Sequence, residues 1–300
     1  MLYNKNIIIT AGIKYLDIDA YASMLAYRDF LKSLGYNAWA MTSSSVLNSS
    51  IPKSFLDNQH HLDKMQKIPD AEYVILDTSF PDFIDKMVDR DKISEIIDHH
   101  PEGISYWQDS NVKIEIIPIG AVCTIIYERI KNKNKLSVLD SELCKLLAAG
   151  ILDNTINLQA LATTDRDRIA FKELCELGKL PPTFNMDYFK ECYKNTDIHN
   201  AIINDIKIFK INNLLPEVFG QVIVLNDINI NIINEVFKKY DSWMINVINL
   251  QKGKSYIYYS NNNRENLEKL FNTKAFQKGL IILDNVMLRK EIVALAESKN

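Results

Sequence analysis

Ser94-Glu95-Ile96-Ile97-Asp98-His99-His100-Pro101 is a short β-branched run that stops on an aspartate and two histidines, where a proline breaks it. Consecutive apolar residues closed by turn formers suit a strand buried on both faces of a parallel sheet. The same grammar repeats outward from this stretch. Residues 73–77 form a second such run, closing on Asp77, and residues 6–10 and 38–42 form two more on either side of a helical pattern from about Ala20 to Leu34. Downstream, residues 112–118 add a strand and Gly120 opens a helix that reaches about Lys131. Strands alternating with amphipathic helices predict an α/β fold with a doubly wound, mainly parallel sheet.

From Asp140 to about Leu177 the pattern is helical, interrupted near residues 154–162, until Gly178-Lys179-Leu180-Pro181-Pro182 ends it. A further helical stretch around residues 187–194 precedes a second alternation, with strands at 219–225, 244–250 and 255–259 and helical patterns at 229–239 and 264–271. The expected organisation is a first domain over residues 1–180, a helical connector over 181–198 and a second, smaller α/β accessory domain over 199–300.

A chain of 300 residues with 47% hydrophobic content can bury a full core and suits two domains better than one. Lys and Arg total 35 against 38 Asp and Glu, a net charge of -3, so there is no overall basic footprint for duplex nucleic acid. The four cysteines show no C-x-x-C pairing and read as reduced thiols. No apolar run is long enough to cross a bilayer and no secretion signal is evident, which makes cytoplasmic the expected localisation, with no membrane partner. His60-His61 reads as a solvent-facing loop pair, and the aromatic residues read as core.

Open parallel sheets bind ligands at the carboxyl ends of their strands, where loops and helix N-termini share one crevice. Acidic groups recur there in this chain: Asp17-Ile18-Asp19 after the first strand, Asp77 after the run at 73–76, and Asp98-His99-His100 after the run at 94–97. A helix cap accounts for Asp17 or Asp19 singly, but not for three strand ends that all carry ligand-type side chains. Several carboxylates with an imidazole suit a hard divalent cation, Mn²⁺ or Mg²⁺, with the imidazole favouring Mn²⁺. Asp153, in the otherwise apolar Gly150-Ile151-Leu152-Asp153-Asn154-Thr155, is either a fourth acidic ligand or a helix-end cap.

Taken in order, Asp17-Ile18-Asp19 with Ser23, Asp77, Ile97-Asp98-His99-His100-Pro101 and Gly150-Ile151-Leu152-Asp153-Asn154-Thr155 resemble the four motifs of the DHH phosphoesterase superfamily. Pro118-Ile119-Gly120-Ala121-Val122-Cys123-Thr124 resembles the helix start that follows the His-His motif in family II inorganic pyrophosphatases. Asn204-Asp205-Ile206-Lys207-Ile208-Phe209 and Met287-Leu288-Arg289-Lys290-Glu291-Ile292-Val293 resemble segments of the accessory domain of pyrophosphatases and exopolyphosphatases. One departure stands out: Ile13 occupies the position where pyrophosphatases of that family carry a metal-binding histidine.

The resemblance implies two cations, one held by Asp17 and Asp77 and the other by Asp19, Asp77, His99 and Asp153, with Asp98 orienting the histidines. It further implies that His100 donates to a phosphoryl oxygen of a small phosphorylated substrate, and that Lys207, Arg289 and Lys290 neutralise the remaining phosphate charge. The expected function is hydrolysis of the phosphoanhydride bonds of pyrophosphate or short polyphosphate. Phosphodiester hydrolysis of short oligonucleotides or cyclic dinucleotides, and a non-enzymatic phosphate-binding regulator, stay open, as does a homodimer.

Overall fold

The computed structural model describes residues 5–13, 16–44, 49–56, 60–208 and 214–299. Lys14 and Tyr15, within the first motif, and Phe209, in the accessory segment, lie outside the described residues.

The chain divides into two compact units, Met1–Leu158 with Ala162–Tyr188, and Gln159–Leu161 with Phe189–Asn300. The first unit runs β1 (Asn6–Thr10), α1 (Ile18–Ser33), β2 (Asn37–Thr42), α2 (Lys53–Leu56), β3 (Asp63–Lys64), β4 (Glu72–Leu76), β5 (Ile93–Asp98), β6 (Lys113–Ile116), α3 (Val122–Asn132), α4 (Ser141–Asn154) and α5 (Asp165–Gly178). The division falls inside α6 (Phe184–Tyr193), five residues or more beyond the glycine and prolines at 178–182.

Strand order is β3-β2-β1-β4-β5-β6, and every pairing is parallel. The order reverses direction between β1 and β4, so the connections out of these neighbouring strands part to opposite sides and open a crevice at their carboxyl ends. The apolar runs make these strands because both faces are covered. Ile8, Ile75 and Ile96 are wholly buried with Trp107 in one cluster, while Met24 and Leu25 of α1 are wholly buried as well.

Helix α4 packs against α1, α3 and α5, and Gly150 is what lets it lie so close to α1 and α3. A Cβ there would come within 2.5 Å of Cys123 Sγ and 3.1 Å of the Asp19 Cα. Gly150→Ala is therefore expected to destabilise the fold by about 1–3 kcal/mol, the usual cost of overpacking. Thermal denaturation would show it as a lowered midpoint.

The second unit contains α7 (Ile198–Asp205), β7 (Lys207–Ile208), β8 (Val218–Val224), α8 (Ile230–Phe237), β9 (Trp243–Asn249), β10 (Lys254–Tyr259), α9 (Arg264–Phe271), β11 (Leu280–Leu283) and α10 (Arg289–Glu297). Its sheet, β11-β10-β9-β8-β7, is mixed: β8 and β9 run parallel and the other neighbours antiparallel. Four of these elements, α7, β7, β11 and α10, are absent from the sequence reading. Each is short, from two to nine residues, and too brief for its period to stand out.

Candidate metal centre

Four side chains at the carboxyl ends of β4 and β5 offer ligand atoms that all lie within 4.8 Å of one another: Asp77, Asp98, His99 and His100. Asp77 sits one residue past β4 in the left-handed region, φ 57°, its N–H bonded to the Ile97 carbonyl at 3.0 Å. A non-glycine residue in that region costs free energy, and such strain gathers at functional sites. Here it turns the carboxylate back toward β5, leaving Oδ1 of Asp77 3.3 Å from Nε2 of His99.

The tautomer of His99 follows from its other nitrogen. Nδ1 lies 3.0 Å from the Ile119 carbonyl, which can only accept, so Nδ1 carries a proton and Nε2 of the neutral ring is a lone pair. That lone pair faces a carboxylate oxygen, and both atoms are buried without a hydrogen-bond partner. Two acceptors held together in a dry place need a proton or a cation between them. A divalent cation fits this donor set: one imidazole nitrogen fixed by a backbone carbonyl, with carboxylates around it.

The neighbouring charges tell the same story. Burial, then the charges of Asp17 and Asp19, raise the Asp77 carboxyl well above its ordinary range. Burial would lower the His99 imidazole, but the Asp77 carboxylate facing its Nε2, with the charge of Asp19, overrides this and holds it up to about 10. Asp153, in the last turn of α4, is pushed up to about 7 by burial and by Asp17, partly offset by the Tyr188 hydroxyl 3.1 Å from its Oδ1. Burial and Asp19 likewise raise Asp17. The crevice thus holds more negative charge than its own cations neutralise.

The structure sorts the candidate ligands. Asp77 and His99 meet directly. Asp17 is the N-cap of α1, one oxygen accepting from Ala20 N–H at 3.0 Å, so the cap reading holds for it while its charge still acts on Asp77. Asp19, wholly buried, accepts from Val122 N–H at 2.9 Å, Cys123 N–H at 2.8 Å and the Asn154 amide at 2.5 Å, which makes it the cap that α3 lacks within its own sequence. Neither Asp19 nor Asp153 belongs to the four-residue cluster. Asp98 accepts from Nδ1 of His100 at 2.8 Å and from the His99 and His100 amides, while the His100 side chain is 43% exposed, open to a ligand. Burial would raise Asp98, yet the hydrogen bond and charge of His100 keep it below its ordinary range.

In the second unit, Lys207 and Lys290 are exposed. Arg289 is not free: its guanidinium pairs with both Asp205 oxygens, at 2.7 and 2.8 Å, over the ring of Phe219. His60, expected to face solvent, is instead a half-buried tie. Its Nε2 lies 2.9 Å from Asp140, the N-cap of α4, and its Nδ1 3.6 Å from Asp29.

Sequence reasoning missed several residues around the centre. The Tyr188 hydroxyl bridges the Ser50 carbonyl and Asp153. Ser79 donates to the His100 carbonyl at 3.4 Å and accepts from Trp107 through its own carbonyl at 2.6 Å. Ile156, Asn157 and Leu158, directly after α4, adopt three successive left-handed conformations, φ 49°, 58° and 61°. The bonds Asn157 N–H to Leu152 carbonyl and Leu158 N–H to Thr155 hydroxyl hold that turn. No sequence signal marks it, since Ile and Leu are the residues least suited to it.

A doubly wound parallel sheet with a carboxylate and imidazole cluster at its switch point defines a class of ligand-binding α/β domain. Within that class the first unit is a DHH-family domain: residues 6–151 match the DHH family, N-terminal domain. Over the whole chain, a relative in an Exiguobacterium strain named "Probable manganese-dependent inorganic pyrophosphatase" is 26% identical, the match covering 95% of each chain. Among solved structures, a candidate family II inorganic pyrophosphatase of Methanococcus jannaschii has the same fold, with TM-score 0.63 and 21% identity over 97% of this chain and 98% of that one. An exopolyphosphatase-related protein of Bacteroides fragilis follows at TM-score 0.55 and 13% identity, covering 99% and 92%.

Proposed function

We propose that this chain is a metal-dependent phosphohydrolase that cleaves the phosphoanhydride bonds of pyrophosphate or short polyphosphate, with Mn²⁺ as the favoured cation. The observation that carries the reading is the pair of buried, unpartnered acceptors, Asp77 Oδ1 and His99 Nε2, at 3.3 Å. The likeness to proteins named as manganese-dependent pyrophosphatases supports the choice of metal and substrate. Asp77 and His99 would hold the metal, with Asp17, Asp19 and Asp153 around them as the acidic groups that would serve a second ion.

Bound divalent cations supply Lewis acidity, bringing a coordinated water near neutral pKa and offsetting phosphoryl charge. The chain's own residues do the rest. Asp98 fixes His100 through Nδ1, which leaves Nε2 of a partly exposed ring to exchange a proton with a phosphoryl oxygen. Ile119 keeps His99 in the ligating tautomer. Lys207 and Lys290 are the proposed phosphate contacts, and Arg289 would join them only by exchanging its pairing with Asp205 for the phosphate. Lys290→Ala is expected to raise KM several-fold with kcat little changed, because an exposed cation contributes to binding more than to the bond-breaking step. Steady-state kinetics on pyrophosphate would check it.

One observation favours a second reading, hydrolysis of nucleotide phosphodiesters. Phe80, adjoining Ser79, meets Phe83 at a tilt and Tyr106 edge-on, at ring distances of 5.8 and 5.7 Å, and Tyr106 is 60% exposed. A planar base could stack there. A panel of pyrophosphate, polyphosphate and dinucleotides assayed with Mn²⁺ separates the two. Turnover of pyrophosphate, lost on chelation, is the expected result, and silence on every member would overturn both.

A further inference from the structure

The carbonyl that fixes His99 belongs to a peptide group whose other end is also held. The Ile119–Gly120 peptide is planar and trans, so its C=O and N–H point in opposite directions. The C=O accepts from His99 Nδ1 at 3.0 Å, and the N–H donates to Oδ2 of Asp167 at 3.0 Å. Whatever orients one end orients the other.

Asp167 is wholly buried at the start of α5, and its carboxylate accepts from four donors. Two are local: the Thr164 hydroxyl at 2.7 Å and the Thr164 N–H at 2.8 Å, the latter completing a capping box with the Asp167 N–H that donates to the same hydroxyl. Two are remote: Gly120 N–H and the Thr124 hydroxyl, the latter at 2.6 Å. A capping role accounts for the local pair alone. The remote pair clamps the segment leading into α3, whose first two amides, Val122 and Cys123, are taken by Asp19. Gly120 is the residue that permits the approach, since a Cβ there would lie 2.5 Å from Thr155 Cγ2 and 2.8 Å from Oδ2 of Asp167.

We propose that Asp167 is a positioning residue for the metal centre, acting on His99 through the Ile119–Gly120 peptide. The carboxylate orients the peptide and polarises it, which strengthens the carbonyl as an acceptor and presents Nε2 of His99 to the cation. Metal-binding histidines commonly donate their second N–H to a carboxylate or to a carbonyl. In this chain a carboxylate acts through a carbonyl, one peptide removed. The inference rests on the reading of His99 as a metal ligand.

The test is a double-mutant cycle on Mn²⁺ affinity, measured by calorimetry on the full chain. Asp167→Asn keeps the shape and removes the charge, and is expected to weaken Mn²⁺ binding roughly 10- to 100-fold, as loss of an outer partner does. In a His99→Gln background the same substitution should have no further effect, because the relay then ends on no ligand. Equal weakening in both backgrounds would mean a general structural role and would overturn the proposal. Thr124→Val removes a bond to Asp167 outside the relay, and should lower the thermal midpoint without altering Mn²⁺ affinity. A Thr124→Val loss of affinity as large as that of Asp167→Asn would also overturn it. If Asp167→Asn does not fold, Asp167→Glu, which keeps the charge but displaces the carboxylate, must show the same dependence on His99. Should His99→Gln alone leave Mn²⁺ binding intact, the metal-centre reading itself fails, an outcome distinct from failure of the relay.

Discussion

Asp77→Asn is expected to abolish Mn²⁺ binding and turnover while leaving the stability of the metal-free fold little changed. The two halves of this expectation have different causes. Asparagine is among the few residues that tolerate the left-handed backbone Asp77 occupies, so the substitution brings no new strain. It also removes a buried carboxylate that burial and the charges of Asp17 and Asp19 disfavour, and its amide can donate toward Nε2 of His99. An amide hydrogen bond takes the place of the proton that Asp77 and His99 share, so the metal-free thermal midpoint should change little. The same amide is a poor ligand for a divalent cation and carries no charge. Loss of a direct ligand should exceed the roughly 10- to 100-fold cost of losing an outer partner, with activity falling by roughly three orders of magnitude or more. Calorimetry with Mn²⁺, thermal denaturation without it and the pyrophosphate assay measure the three consequences. A destabilised variant that still binds Mn²⁺ would show Asp77 to be a structural turn residue.

The strand ends were readable for a physical reason. A strand buried on both faces must be apolar throughout, so the first charged residue after residues 73–76 or 94–97 marks the place where the chain leaves the core, and at a switch point those places converge. Ambiguity entered where one residue type serves two purposes. Asp17 and Asp19 are two positions apart and look alike in sequence, yet one caps its own helix and the other caps α3, more than a hundred residues away. Only the packing of α1 against α3 decides that. Asp167 was harder still, because Thr164-x-x-Asp167 announces a helix start and nothing in the local pattern says that the carboxylate also faces Gly120. His60 was misread for a related cause: a polar loop looks solvated until its partners, Asp140 and Asp29, are seen beside it. Motifs that announce themselves by composition were visible, whereas relations carried by the orientation of a single peptide plane were not.

Mn²⁺ is expected to stabilise this protein more at about pH 8 than at about pH 6, because protons occupy the centre when the metal does not. His99 is held up to about 10 from 6.5, Asp153 up to about 7 from 3.8, and Asp77 well above its ordinary range. Each folded-state value lies above its unfolded one. The stability each group contributes is therefore fully present below the unfolded value and is lost as pH rises through the folded value. For Asp153 that window runs from 3.8 to about 7, and for His99 from 6.5 to about 10, so the metal-free protein loses stability from both across neutral pH. A cation needs the same atoms deprotonated, so its binding displaces those protons and tightens as pH rises. With Asp77 and His99 sharing one proton and Asp153 partly holding another, the release is on the order of one to two protons, or about ten- to a hundredfold in affinity per pH unit. A tenfold gain at fixed Mn²⁺ adds about 1.4 kcal/mol of stability, so the metal-induced rise in thermal midpoint should grow visibly over this range. Calorimetry in buffers of different ionisation enthalpy counts the released protons directly. A metal-induced shift that stayed constant or shrank with rising pH would mean that the cation does not take the place of these protons, and that Asp77 and His99 are not its ligands.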